Sequence, residues 1–190
     1  MRITVTATPL QGVVIVDTPF QHDQRGFFLE AWHARDYATA GLEARFVQEN
    51  HSRSQRGVLR GLHFQDMRAP LDKLIRCTLG TIFDVAVDLR VGSPTFGQWF
   101  GTELSAESAR QLYVPVGFAH GFQALTEYVE VQYRQTGYYA PETETSIAWD
   151  DPEIGVAWPI ADPLLSPRDR EARSLRDYLA TPAFHYLVRA

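Results

Sequence analysis

Two charge-capable residues interrupt a strand-like stretch between Gln48 and Gln65 (QENHSRSQRGVLRGLHFQ). Arg60 and His63 lie three residues apart among apolar strand formers. A guanidinium can bind phosphate oxygens, and an imidazole can take up a proton near neutral pH. The stretch therefore predicts a pocket wall that holds an anionic substrate while a proton is removed from carbon.

Proton transfer beside a carbonyl group needs a base, an acid on the opposite face and a cation near the enolate oxygen. His63 suits the base, and either Asp84 or Asp169 could orient its second ring nitrogen. Tyr133, on a predicted strand, suits the acid, and Lys73 suits the cation. The five residues form one candidate catalytic group.

Four members of this group also have a purely structural interpretation. Tyrosines in sheets usually pack, and Asp169 can cap a helix that begins at Ser166. Asp84 and Lys73 can pair with each other or lie at strand ends in water. The hypothesis also assumes a bulge, because regular alternation would send Arg60 and His63 to opposite faces of one strand.

Other chemistries have weaker signals. The segment Pro115–His120 has the P-x-G-x-x-H form of a metal-binding cupin motif, but no H-x-H occurs to complete it. A catalytic metal usually takes three or more protein ligands, so metal binding is not favoured. Neither G-x-S-x-G nor G-x-G-x-x-G is found.

Short strands separated by Gly- or Pro-containing turns predict a mainly β sandwich or small barrel. Helical patterns cover His33–Ala40 and Ser166–Leu179. The predicted strands are Gly12–Thr18, Phe46–Asn50, Val58–Phe64, Lys73–Leu79, Ile82–Leu89, Gly97–Leu104, Arg110–Val114, Gly121–Ala124 and Val129–Tyr138.

Alternation within Ile82–Leu89 places Asp84 beside the small Ala86, on a face suited to a lumen with room for a ligand. Lys73 shares its strand face with apolar residues, which is uncommon for an ammonium group without a partner or a task. Both residues are therefore predicted to face the pocket.

Composition bounds the remaining possibilities. A chain of 190 residues with formal net charge −5 predicts one domain over residues 1–190, with a barrel core at about 45–140. The negative charge disfavours a general nucleic-acid or membrane-surface role. A single cysteine, Cys77, suits a reducing cytoplasm.

Several separated motifs resemble the dTDP-4-dehydrorhamnose 3,5-epimerase family, from about Gly12 to Asp169. The resemblance rests on D-x-R-G-x-F-x-E (Asp23–Glu30), Q-E-N (Gln48–Asn50), G-V-L-R-G-L-H (Gly57–His63), K-L-I-R (Lys73–Arg76), F-D-V-A-V-D-L-R (Phe83–Arg90), G-S-P-T-F-G (Gly92–Gly97), P-x-G-F-A-H-G-F (Pro115–Phe122), Y-Y-A-P-E (Tyr138–Glu142) and W-x-D-P (Trp149–Pro152).

This resemblance implies a cupin-type antiparallel β-barrel, or jelly roll, with short peripheral helices and a C-terminal helix. It implies a homodimer that works without metal or organic cofactor. The implied substrate is a dTDP-linked 4-keto-6-deoxyhexose, inverted at C3 and C5, since both C–H groups are alpha to the C4 ketone.

The resemblance also implies residue roles. His63 matches the base, Asp169 its supporting carboxylate, with Asp84 close by, Tyr133 the acid and Lys73 the residue near the C4 oxygen. The implied substrate contacts are Arg25, Glu30, Gln48, Glu49, Asn50, Arg60, His120, Tyr139, Glu144 and Arg168, with Tyr139 stacking on the thymine.

Some features depart from the family pattern, and alternatives stay open. Arg134 and Arg168 stand where Lys is usual, and Gln65–Leu71 differs from the expected Pro- and Gln-rich loop. An enzyme that inverts only C3 or only C5 would share the motifs. A metal-dependent cupin enzyme and a non-catalytic sugar-nucleotide binding protein are the remaining alternatives.

Overall fold

The computed structural model describes residues 3–187. Strands from most of this range form two antiparallel sheets. The strands, in chain order, are β1 (Thr4–Ala7), β2 (Val14–Asp17), β3 (Phe20–Asp23), β4 (Gly26–Leu29), β5 (Gln48–Gln55), β6 (Leu59–Gln65), β7 (Lys73–Leu79), β8 (Thr81–Asp88), β9 (Arg90–Val91), β10 (Trp99–Ser105), β11 (Gln111–Val114), β12 (Phe118–Ala124), β13 (Tyr128–Gln135), β14 (Glu144–Ser146) and β15 (Phe184–His185).

The larger sheet has the strand order β1-β2-β11-β7-β13-β5, and the smaller sheet has the order β10-β8-β12-β6-β14. A hairpin joins β3 to β4, and β9 pairs in parallel with β15. The helices are α1 (Ala34–Thr39), α2 (Pro167–Arg170) and α3 (Leu175–Ala180), with a 3-10 turn at Pro141–Thr143.

An apolar core lies between the two sheets. Residues such as Ile75 and Val131 from the larger sheet pack with Ile82, Ala86 and Phe122 from the smaller sheet. Burial of these side chains is the main favourable contribution to folding, at roughly 25 cal/mol per Å² of apolar area. The core holds the inner faces of the sheets at a fixed separation.

The outer face of the smaller sheet is covered by the C-terminal part of the chain. Val85 and Val87 on β8, and Leu89 just after it, pack there against Leu175 and Tyr178 of α3. Both faces of β8 are therefore largely buried, which explains why apolar residues occur on both of them. This packing also holds the segment containing α2 against β6.

The C-terminal helix predicted over Ser166–Leu179 is two short helices. Ser166 caps α2 as predicted, with Pro167 at the first position. The chain then leaves the helix, because the backbone at Arg173 bridges to Ile147 in parallel. Ser174 begins α3 with a capping box, so the prediction of one continuous helix was wrong.

The N-terminal part of the chain has more strand than its composition indicates. The polar segment Pro19–Gly26 contains most of the β3–β4 hairpin. Likewise, β5 continues to Gln55 rather than ending at Asn50. Polar residues form these strands because backbone pairing, rather than side-chain burial, holds them.

Candidate active site

A cavity of about 840 Å³ lies between the two sheets. It collects most of the residues that the sequence indicates for chemistry or binding. Those that line it are His63, Lys73, Tyr133, Asp169, Gln48, Asn50, Arg60, His120, Tyr139, Glu144 and Arg168. Residues far apart in sequence therefore share one site.

The larger sheet supplies one wall through strand alternation. Every second residue of β5 from Gln48 to Ser54 lines the cavity, since side chains on a strand alternate between faces. Tyr133 on β13 lies opposite Asn50 in the strand register and lines the same wall. Gln48 Nε2 donates a hydrogen bond to Asn50 Oδ1 at 3.0 Å. The phenol thus lies on a wall that backbone pairing holds in place.

The smaller sheet supplies the opposite wall through an irregularity in β6. His63 pairs with His120, and Arg60 pairs with Phe122. A separation of three residues on β6 therefore matches a separation of only two residues on β12, which is a bulge in β6. This register shift lets Arg60 and His63 both line the cavity, as the assumed bulge requires. Gly61 permits it: its φ is +143°, and a Cβ there would lie 2.5 Å from the backbone of β12.

His63 is held by a carboxylate from α2. Its Nε2 lies 2.5 Å from Oδ1 of Asp169, and the other carboxylate oxygen accepts a hydrogen bond from Ser166 Oγ at 2.8 Å. An ionised carboxylate only accepts hydrogen bonds, so Nε2 carries the proton and Nδ1 keeps a lone pair. Of the two aspartates considered for this task, Asp169 is the one that contacts His63.

The protonation states of this pair suit a base. Burial lowers the pKa of His63, and the neighbouring Asp169 does not fully offset that effect. Burial alone would raise the pKa of Asp169, but the hydrogen bonds from His63 and Ser166 hold it below its usual range. At neutral pH the imidazole is therefore neutral beside an ionised carboxylate.

A guanidinium lies against the same imidazole. Arg168 Nη2 is 3.3 Å from His63 Nδ1 and 3.0 Å from Nε2, and Arg168 also forms an ion pair with Glu144. This positive charge is one reason why the pKa of His63 is low, after burial. Arg168 is thus placed to bind an anion beside the base.

Two further cavity residues differ in proton affinity. Burial lowers the pKa of Lys73 to about 8, although Glu144 and Asp84 favour its charged form. Burial and the charge of Glu144 raise the pKa of Tyr133, so the phenol stays protonated at neutral pH. The cavity thus contains a neutral base, a protonated phenol and a cation that titrates near pH 8.

His120 has a carboxylate partner of its own. Its Nε2 lies 2.9 Å from Oδ1 of Asp84, which is fully buried and does not line the cavity. The structure therefore separates Asp84 from His63. It also forms no ion pair between Asp84 and Lys73 within the part of the chain that it describes.

Binding groups surround these residues. Arg60 lines the cavity and donates from Nε to Ser54 Oγ at 3.0 Å. Tyr139 is half exposed, and its hydroxyl donates to Glu144 at 3.0 Å while its backbone N–H donates to Gln48. The exposed aromatic ring and the guanidiniums could bind a base and phosphates.

Comparison with known proteins identifies the family. The model of the family described as dTDP-4-dehydrorhamnose 3,5-epimerase matches residues 7–177. The chain belongs to this family. The dTDP-4-dehydrorhamnose 3,5-epimerase of Pseudomonas aeruginosa is 52% identical over 179 residues, which are 93% of this chain and 97% of that protein.

Two other relatives bear on the fold and on the reaction. The structure of dTDP-6-deoxy-D-glucose-3,5-epimerase from Legionella pneumophila, in complex with dTDP-4-keto-L-rhamnose, superposes with a TM-score of 0.94 at 43% identity. The superposition covers 98% of this chain and 100% of the Legionella pneumophila chain, and it confirms the predicted fold class. The dTDP-4-dehydrorhamnose 3-epimerase of Streptomyces niveus is 43% identical over 88% of this chain and 82% of its own length.

Three predicted contacts of this epimerase-family chain lie outside the cavity. Arg25 is in the β3–β4 hairpin, bonded to Asp23, with 85% of its side chain exposed. Glu30 follows that hairpin, and Glu49 points away from the cavity on β5, where it pairs with Arg134 at 2.6 Å. The single chain does not bring these three residues to the site.

Reasoning from sequence missed several cavity residues. Ser52, Ser54 and Gln135 line the cavity, and Leu164 reaches it from the segment before α2. Alternation along β5 could have identified the two serines, but the predicted strand stopped at Asn50.

No helix in residues 3–187 has the length and apolar character needed to cross a bilayer.

Proposed function

We propose that this protein inverts C3 and C5 of dTDP-4-dehydro-6-deoxy-D-glucose and so forms dTDP-4-dehydro-L-rhamnose. One observation carries the proposal. A neutral imidazole held by a carboxylate lines the same cavity as a protonated phenol from the opposite sheet. Such a pair can remove a proton from one face of a carbon and return one to the other face.

The chemistry follows from the residues present. Nδ1 of His63 takes the proton from the carbon next to the ketone, and the C–H electron pair moves into an enolate. Lys73, cationic below about pH 8, stabilises the enolate oxygen. Tyr133 then protonates the carbon from the opposite face, and solvent restores both groups. The same cycle serves C5 and C3, because both flank C4.

Substrate binding prepares the base. The dTDP diphosphate would bind Arg60 and Arg168, while the thymine stacks on Tyr139. Arg168 lies against His63, with Nη2 3.3 Å from Nδ1. A diphosphate that draws the guanidinium toward itself would leave the Nδ1 lone pair free for the C–H proton.

The proposal includes a homodimer. Arg25 and Glu30 match substrate contacts but do not line the cavity of their own chain. The hairpin next to them exposes Phe27 and Phe28 at 63% and 64%, as an interface would require. We therefore place Arg25 and Glu30 at the cavity of a second copy.

A cytoplasmic location also belongs to the proposal, because the buried free Cys77 suits a reducing compartment.

Complementation between variants tests this arrangement. A mixture of Arg25→Ala and His63→Ala chains should form mixed dimers in which one site has both intact residues, so part of the activity should return. Light scattering should show a mass of two chains. A monomer, or a mixture no more active than its components, would remove the dimer from the proposal.

Proton NMR in deuterated buffer tests the reaction itself. The 4-keto substrate should take up one deuterium at C5 and one at C3 as product forms. No exchange at either carbon would contradict the proposal, and tight dTDP binding without exchange would identify a binding protein.

A second candidate is inversion at one carbon only. The 43% identical relative from Streptomyces niveus is named as a dTDP-4-dehydrorhamnose 3-epimerase. Uptake of a single deuterium, at C3 alone or at C5 alone, would favour this candidate. Loss of activity to chelators with one metal per chain would instead indicate a metal-dependent cupin enzyme.

A further inference from the structure

Asp84 is an unusual residue for the interior of this fold. It is fully buried on β8, and its strand neighbours in the core include Ile82 and Ala86. One carboxylate oxygen bonds His120, while the other, Oδ2, has no hydrogen-bond partner in residues 3–187. Burying a carboxylate with half its bonds unmade is costly, so a task beyond packing is expected.

Asp88 shows what a structural carboxylate looks like in the same strand. It is also fully buried, on the same side of β8. Its oxygens bond the side chains of Arg90, Ser93 and Thr95, and Arg90 neutralises its charge. These bonds organise the turn after β8 and involve no cavity residue. Asp84 has no comparable set of partners.

Within residues 3–187, the one side chain that hydrogen-bonds the Asp84 carboxylate belongs to a cavity residue. His120 lies directly opposite His63 in the pairing of β12 with β6, so the two rings share one wall. Its Nε2 is occupied by Asp84, and its Nδ1 makes no hydrogen bond within the described part of the chain. Because a carboxylate only accepts, the proton of a neutral His120 ring lies on Nε2.

One cationic residue from a neighbouring strand lies near this pair. The charge of Asp84 favours the charged form of Lys73 on β7, although burial lowers the pKa of this lysine, and Lys73 also lines a small cavity together with His120. The lysine ammonium supplies a positive charge near the buried carboxylate without bonding it. Oδ1 of Asp84, 2.9 Å from Nε2, is thus placed to accept the hydrogen bond that His120 donates.

We propose that Asp84 is a positioning residue that fixes the ring and tautomer of His120, so that Nδ1 accepts a hydrogen bond from a hydroxyl group of the substrate's sugar. This inference rests on the proposed function and deepens it. A sugar held at this point presents its C–H bond to the neighbouring His63. A small misplacement would lower the rate, because proton transfer depends on close alignment.

Two substitutions separate the hydrogen bond from packing. Asp84→Asn keeps an acceptor oxygen, whereas Asp84→Val removes it at similar volume. We expect kcat to fall at least tenfold in the Val variant and distinctly less in the Asn variant. Asp88→Asn is the matched control, with lower thermal stability but unchanged kcat.

Binding measurements test the sugar contact without any turnover. The ratio of the dissociation constants of dTDP and dTDP-glucose isolates the contribution of the sugar. In Asp84→Val this contribution should fall about fivefold, as expected for one lost hydrogen bond, while dTDP alone binds as before. An unchanged ratio, or an equal loss for both ligands, would overturn the inference.

Nitrogen-15 NMR of the unmodified protein gives a test that needs no Asp84 variant to fold. The His120 ring, assigned by the signal that His120→Gln lacks, should be protonated at Nε2 and bare at Nδ1. A proton on Nδ1 alone would overturn the inference. These readouts also separate two failures: absence of deuterium exchange contradicts the epimerase, whereas an unchanged sugar contribution contradicts only the role of Asp84.

Discussion

Two histidines line one cavity side by side, each hydrogen-bonded to a carboxylate, yet their surroundings differ. Asp169 comes from a short helix, and both of its oxygens are bonded. Asp84 comes from a central strand, and one of its oxygens has no hydrogen-bond partner among the described residues. His63 has a guanidinium against its ring, whereas His120 is almost completely buried. The same residue types can therefore serve as a base or as a binding group, depending on their neighbours.

The largest expected effect separates the two histidines. His63→Ala should lower kcat by about 10³-fold, within the usual range for losing a general base, and should abolish deuterium uptake. His120→Ala should keep measurable deuterium uptake, because the base is intact. Equal loss of exchange in both variants would show that the comparison between base and binding group is wrong.

Removal of the acid should break the cycle at a different step. Tyr133→Phe should lower product formation by about 10²-fold or more, since the phenol that protonates the carbon is missing. Deuterium should still enter the substrate, because His63 can remove a proton and return one from solvent on the same face. NMR measures both quantities in one sample, and full epimerisation would remove Tyr133 from its role.

Loss of charge at Asp169 should have a smaller effect. Asp169→Asn keeps an acceptor near His63 but removes the negative charge that favours the protonated ring. We expect kcat to fall about tenfold to a hundredfold and the acidic limb of the pH profile to move to lower pH. If the acidic limb does not move, then a group other than Asp169 sets the pKa of His63.

The smallest expected effect is the change of activity with pH, which should be only a few fold near neutral pH. Activity should rise with pH as His63 loses its proton, at a pKa below its usual value. It should fall as pH passes about 8, because Lys73 then loses the charge that stabilises the enolate. Lys73→Arg should retain some activity and lose the alkaline limb, since arginine stays charged.

The strands that carry the catalytic group follow closely from local pattern. Lys73–Leu79 was predicted with the bounds that the structure has, and β8 differs by one residue at each end. The break before α3 was not predictable, because it depends on backbone pairing between Arg173 and the distant Ile147. Polar strands such as β3 also lack the apolar alternation that marks a strand.

The candidate site was predictable as a set of residues but not as a set of contacts. The bulge at Gly61 was assumed, and the structure has it. Arg25 and Glu30 matched a motif, yet they do not line the cavity of the single chain. A motif indicates which side chains a family uses. It does not indicate on which wall of the cavity, or on which copy of the chain, these side chains lie.

The amino-acid sequence by itself determined the strand alternation, the placement of charge on apolar strands and the membership in a family of epimerases. Only the tertiary structure decided which carboxylate serves which histidine. Asp169 and Asp84 lie 106 and 36 residues from their partners, and local periodicity carries no information over such separations. Packing of two sheets and a capped helix brings each pair together, and that packing assigns each imidazole its neighbours.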